Sequence, residues 1–249
     1  MARTSHEVDY KIQGAEMQFV EITLDPGETI FAEAGSMLYM DQGIQMATHL
    51  GDKSEKHSGV MGTIMGMGKR AFTGENMWMT HFTNSGKGKL RVAFAAPYPG
   101  SIIPVDLSKC GGKLMAQKGA FLCAARGTSL SLAFTKKFSA GLFGGEGFIL
   151  QKLEGDGLVF VHAGGKVVET TLSAGQTLYI ETGALVALEQ TVTYEIEVVK
   201  GIKSMLFGGE GLFLTKLTGP GRVWMQSFQY GRFIGSVAYT VAEMFKTKR

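Results

Sequence analysis

Two stretches of sixteen residues, LFGGEGFILQKLEGDG (142–157) and LFGGEGLFLTKLTGPG (206–221), are identical at eleven positions. A chain that repeats itself at such spacing is built from copies of one supersecondary unit, each burying its apolar face against its neighbours. A fainter copy, GENMWMTHFTNSGKG (74–88), keeps Gly74, Glu75, the apolar run and the closing Gly86 and Gly88. A second frame lies upstream. LDPGETIFAEAGS (24–36) matches LSAGQTLYIETGA (172–184) through Leu24/Leu172, Gly27/Gly175, Thr29/Thr177, Glu33/Glu181 and Gly35/Gly183. The middle version, AQKGAFLCAARGT (116–128), is set in the same frame through Gly119 and Gly127. This order predicts three units: 1–100 with a Gly/Met-rich insertion at 47–72, 101–160, and 161–249 with a C-terminal tail. Units of about 60 residues bury too little surface to stand alone. The three are therefore expected to form one compact domain.

The units read as all-β. Val20, Ile22 and Leu24 alternate with Phe19 and Glu21, and Asp25-Pro26-Gly27-Glu28 is a turn signal. Strands follow through 29–34 and 37–40. FILQKLEG and LFLTKLTG read as buried strands, with Gly155-Asp156-Gly157 and Gly219-Pro220-Gly221 as hairpin turns before 158–163 and 222–228. Residues 82–94 read as the same hairpin in the first unit. The three prolines of 95–109 mark an extended connector or edge segment, and 185–199 reads as one more alternating strand. Glycine at Gly175 implies a positive φ. Ile234, Val237, Ala238, Val241 and Met244 share one stripe, which predicts a short helix over 233–246 that packs on the sandwich or on a neighbour.

Composition narrows the function classes. The 25 basic and 22 acidic residues nearly cancel, so nucleic-acid binding would have to come from local patches, and none is continuous. Two cysteines cannot build a disulfide framework. No stretch reaches the length of a membrane helix, and the first residues lack the apolar centre of a secretory signal. The expected location is the cytoplasm.

Candidate chemistry is sparse. GGEG lacks the lysine and the strand–loop–helix setting of a phosphate loop. A threefold arrangement would bring Glu75, Glu146 and Glu210 toward one axis, where three carboxylates can share a cation. The plainer alternative is that each accepts backbone N–H bonds at its own bend. None of the five histidines has HxxH or HExxH spacing, and no nucleophile elbow is present. Within the insertion, Met61, Ile64, Met65 and Met67, followed by Lys69 and Arg70, form the candidate interaction surface, because methionine packs adaptably on uneven partners. Its occupant is this chain's own core, a second subunit, or a membrane or protein partner.

Taken together, LDPGETIFAEAGSMLYM, KRAFTGENMWMTHFTNSG, LFGGEGFILQKLEGDG and LYIETGALVALE resemble the uncharacterised bacterial and mitochondrial family named for altered inheritance of mitochondria, over about residues 8–235. The resemblance implies a fold similar to the tryptophan RNA-binding attenuation protein: three repeated β-sandwich-like units around a pseudo-threefold axis. It also implies oligomers. It carries over no catalytic residue and no cofactor, and fold likeness does not transfer an RNA or tryptophan site. With no mitochondrial presequence, the chain is closer to the bacterial members. The expected function is a non-enzymatic scaffold or interaction protein that self-associates as a homo-oligomer, with 59–70 open to a peripheral membrane or protein partner. Two alternatives stand beside it: a small-ligand or metal-binding module at the pseudo-threefold centre, and an uncharacterised hydrolase.

Overall fold

Val20, Ile22 and Leu24 are buried while the residues between them are half-buried, as a strand with one face on a core requires. That pattern recurs along the chain, and the described residues are mostly β-strand with a helix at their C-terminal end. The structure, a computed structural model, describes residues 3–33, 35–50, 78–136, 148–198 and 213–246.

The first stretch holds β1 (Asp9–Gln13), β2 (Phe19–Leu24), β3 (Thr29–Glu33), β4 (Met37–Met40), β5 (Ile44–Leu50), β6 (Trp78–Asn84) and β7 (Leu90–Ala95). The second holds β8 (Gly100–Asp106), β9 (Lys113–Gln117), β10 (Phe121–Ala125), β11 (Ser129–Lys136), β12 (Phe148–Glu154) and β13 (Leu158–Gly164). The third holds β14 (Val167–Leu172), β15 (Thr177–Glu181), β16 (Leu185–Glu189), β17 (Thr193–Val198), β18 (Phe213–Thr218) and β19 (Gly221–Gln226), before helix α1 (Tyr230–Lys246).

Four antiparallel sheets result, with strand orders β1-β2-β7-β4, β5-β6-β3-β10-β13-β8, β11-β12-β9-β16-β19-β14 and β15-β18-β17. The same four ladders occur in each stretch. They are β2–β7, β3–β6, β4–β7 and β5–β6 in the first. In the second they are β8–β13, β9–β12, β10–β13 and β11–β12. In the third they are β14–β19, β15–β18, β16–β19 and β17–β18. Two further ladders, β3–β10 and β9–β16, join one stretch to the next.

The sheets stack, and each gap between them is an apolar core. Val20, Ile22 and Phe94 of the first sheet meet Ile30, Phe82 and Phe160 of the second. Val159, Val161 and Phe121 of the second meet Leu114, Leu153 and Trp224 of the third. Leu150, Leu185 and Val223 of the third meet Ile180 and Leu217 of the fourth.

This layering corrects three readings of the sequence. The glycine turns at 86–88, 155–157 and 219–221 are not hairpins: β6 and β7, β12 and β13, and β18 and β19 lie in different sheets. Each strand is buried on both edges by other partners, so the chain must cross between layers at the turn. Gly155 (φ +142°) makes the crossing, and a Cβ there would lie 3.0 Å from the Gly127 carbonyl oxygen. The consecutive strands that do pair are β1–β2, β5–β6, β11–β12 and β17–β18.

The middle frame also shifts. Ala32 and Ala116 occupy equivalent places in the joining ladders, opposite Cys123 and Ala187. Gly119, between β9 and β10, therefore corresponds to Gly35 and Gly183, and Gln117 rather than Ala125 stands where Glu33 and Glu181 stand. On this alignment the interval to the GGEG glycine is 26 residues in both later units, Gly119 to Gly145 and Gly183 to Gly209. Finally, 185–199 is two strands, broken by a turn in which the Val192 N–H bonds to the Glu189 carbonyl. The prolines of 95–109 sit as expected of an edge: Pro104 lies in β8, the last strand of its sheet.

Gly175 closes the turn between β14 and β15 at φ +75°, with open space where a Cβ would go. Gly175→Ala is therefore penalised by backbone conformation alone and should cost about 1 kcal/mol. A urea midpoint equal to that of the wild type would show that the turn relaxes to negative φ.

Candidate functional site

A strand whose outer N–H and C=O groups find no ladder is a ready template for another strand. Among the described residues β1, β4, β5, β8, β11, β14, β15 and β17 end their sheets, and of these β4 and β15, paired only with β7 and β18, are the two whose counterparts in both other stretches are central strands. Their sequences, MLYM and TLYIE, are apolar because they continue the repeat that elsewhere builds central strands. β4 carries none of the lysine, proline or inward charge that blunts a solvent edge, and β15 carries only Glu181, half-buried at its end. Leu38 is 53 % exposed, Met40 39 % and Tyr179 52 %, whereas the counterparts of Leu38 in the other units, Leu122 and Val186, are 3 % and 1 % exposed.

The ends of these strands are held by charge. Asp41 accepts from the Arg91 backbone N–H at 2.9 Å and from its Nε at 3.1 Å. These bonds keep the Asp41 carboxyl below the usual carboxylate range. Arg91 also reaches Glu21 at 3.6 Å, and the Tyr39 hydroxyl donates to Glu21. At the far end of β15, burial raises Glu181 above the usual carboxylate range. There the Thr182 hydroxyl donates to the Phe213 carbonyl and accepts from the Thr215 hydroxyl, each at 3.0 Å.

Helix α1 is the second element with an apolar face left exposed among the described residues. It is held at its start by Tyr230 stacked on Tyr98 (4.9 Å) and Phe233 against Phe228 (5.6 Å). Beyond that turn Ile234, Val237, Val241 and Met244 are exposed. The expected helix exists, but its stripe does not pack on the sandwich.

The polar clusters are internally matched. Arg222 pairs with Glu189 at 2.8 Å, donates to the Cys110 sulfur at 3.1 Å and lies 5.0 Å above the Trp224 ring. Trp224 Nε1 donates to Glu169 at 3.0 Å. Arg222, Trp224 and Glu169, with Ile103 and Lys109, line a shallow groove of about 390 Å³. Near the N-terminus Asp156 accepts from the backbone N–H groups of Thr4 and Ser5 at 2.6 and 2.9 Å, which hold its carboxyl well below the usual range. His6 Nδ1 accepts from the Thr29 N–H at 2.9 Å. His162 is buried against the Tyr98 ring.

The sites expected from sequence lie elsewhere. Glu75, Glu146 and Glu210, and Met61, Ile64, Met65, Met67, Lys69 and Arg70, fall outside the described residues. Among the described residues no three His, Cys, Asp or Glu side chains gather as a metal site, and no helix is long and apolar enough to cross a membrane. The sequence reading recognised 37–40 and 177–181 as strands without seeing that each keeps a free edge.

The molecule is thus defined as an all-β protein of stacked antiparallel sheets in which β4 and β15, in the two outermost sheets, keep open an edge that their counterparts use for pairing. The chain belongs to the family described as mitochondrial biogenesis AIM24, whose profile matches residues 10–228. An uncharacterized protein of Streptococcus pyogenes serotype M6 is 30% identical to it over 224 residues, covering 89% of this chain and 86% of that protein. The X-ray crystal structure of a Streptococcus pyogenes protein matches it with a TM-score of 0.70, over 94% of this chain and 100% of that one. At 23% identity the likeness to that structure speaks for the fold alone.

Proposed function

We propose that this protein is a non-enzymatic scaffold of three repeated units that self-associates in the cytoplasm. The supporting observation is the pair of open edges on β4 and β15, whose counterparts are paired on both sides, with apolar side chains exposed on both. A soluble protein that kept such edges in water would be prone to uncontrolled strand pairing, so a defined partner is the economical use of them. Light scattering across a hundredfold range of concentration tests the reading. A mass above 26.8 kDa that rises with concentration to a plateau is expected. A monomer at every concentration would overturn it.

Helix α1 favours a second contact, with a membrane surface. Its apolar residues have nothing from the described part of the chain against them, and an amphipathic helix can lie in the headgroup region without crossing. Co-sedimentation with vesicles of mixed neutral and anionic lipid should be lost in Val237→Glu/Val241→Glu. Equal binding by that variant would remove α1 from the reading.

A further inference from the structure

Beyond naming self-association, the sheets specify how two copies meet. The second and third sheets have one plan. In each, the hairpin strands and their partner (β5-β6-β3 or β11-β12-β9) are joined edge to edge to three strands of the next unit (β10-β13-β8 or β16-β19-β14). The first sheet, apart from β1, is the second half of that plan: β4-β7-β2. The fourth sheet is its first half: β17-β18-β15. The chain therefore ends, in both directions, in complementary halves of a sheet it has already completed twice. We infer that β15 of one copy pairs antiparallel with β4 of the next and joins the two half-sheets in the order β17-β18-β15-β4-β7-β2. This rests on the self-association reading and gives it a partner, a second copy of this chain, and a register.

The register follows from the two joints already formed. In β3–β10, Cys123 faces Ala32, Ala124 faces Phe31 and Ala125 faces Ile30. In β9–β16, Ala187 faces Ala116, Leu188 faces Met115 and Glu189 faces Leu114. A bulge places the strands in step: it falls between Met37 and Tyr39 in β4, Phe121 and Cys123 in β10, and Leu185 and Ala187 in β16. Tyr39 then takes the place of Cys123 and Ala187, and Ile180 that of Ala32 and Ala116. The new joint sets Tyr39 opposite Ile180, Met40 opposite Tyr179, and Asp41 opposite Leu178.

The free edge is also prepared as a joined edge is. In β16, Glu189 accepts from the Arg222 backbone N–H at 2.9 Å and its Nε at 2.8 Å, at the end of the formed β9–β16 joint. Asp41, directly after β4, and Arg91 of β7 occupy the corresponding places and make the same two bonds. Joining β15 to β4 would bury Leu38 as Leu122 and Val186 are buried now. Because the two edges differ, the contact is head to tail. It propagates to a closed ring or an open filament rather than stopping at a symmetric dimer.

A chain whose three units closed on themselves would make the same β15–β4 joint internally, and among the described residues it does not. The test separates these cases. Met40→Cys and Tyr179→Cys are made in separate chains, each with Cys110→Ser, leaving only the buried Cys123. Facing residues of an antiparallel pair lie within disulfide reach. Mild oxidation of the mixture should give a covalent dimer that neither variant gives alone. In parallel, Met40→Lys should weaken association by tenfold or more with an unchanged circular dichroism spectrum. A wild type that associates while the mixture stays uncrosslinked and Met40→Lys has no effect would overturn the head-to-tail joint and leave self-association standing. A monomeric wild type would overturn both. A chain carrying both cysteines that oxidises only within itself would show the ring closing internally, and the joint between copies would be wrong.

Discussion

Trp224→Ala is expected to lower the unfolding free energy by about 3–5 kcal/mol, the range for truncating a buried large aromatic. Trp224 lies in β19, between β14 and β16, and only 2 % of it is exposed. Its ring packs into the core between the second and third sheets, with Val105 and Leu107 from the second stretch and Val186 and Ala187 from the third. Truncation therefore opens a void between two sheets rather than within one. Trp224→Phe separates packing from polarity. It keeps most of the ring and loses the Nε1–H bond to Glu169, whose carboxylate still reaches water. That variant should cost about 1 kcal/mol. Urea unfolding followed by circular dichroism reads both. A loss under 1 kcal/mol for the alanine variant would mean that the neighbouring strands collapse into the void.

Acid should weaken the protein through His162. The ring is buried in β13, neither nitrogen has a hydrogen-bond partner, and Tyr98 meets it edge-on at 4.7 Å. Loss of water around the ring lowers its pKa from 6.5 to about 4. With the folded value below the unfolded one, the unfolded chain binds the proton first. Stability is then full above pH 6.5, declines as the pH falls toward 4, and levels off below that. The shift corresponds to a loss on the order of 3 kcal/mol. Burial acts with the opposite sign on Glu33 and Glu181, whose raised values favour the folded state on acidification. His162→Phe keeps a ring of similar size and cannot titrate, so the difference between the two stability profiles isolates His162. Parallel profiles from pH 7 to 4 would mean that the imidazole reaches water when charged.

How much of this was legible beforehand differs by element. Val20, Ile22 and Leu24 announced β2 by period alone, and Asp25-Pro26-Gly27 announced the turn after it, because both signals are local. The stripe from Ile234 to Met244 announced a helix for the same reason. The glycine turns at 155–157 and 219–221 were seen as turns but misread as hairpins. A tight turn shows that the chain reverses, not whether the next strand bonds to the last one or crosses to another sheet. Gly119 and Gly127 were set one strand out of step because spaced glycines recur at every corner. Only the ladder partners Ala32 and Ala116 distinguish the corners.

The amino-acid sequence by itself determined that this chain is an all-β protein with a terminal helix, and where most of its strands begin and end. Those properties depend on steric preferences and burial patterns within a few residues. The tertiary structure alone decided which sheet each strand enters, that Gln117 answers Glu33 and Glu181, and that β4 and β15 are left with open edges. Strand pairing joins residues far apart in the chain. An edge such as MLYM is chemically indistinguishable from a central strand until every possible partner has been placed.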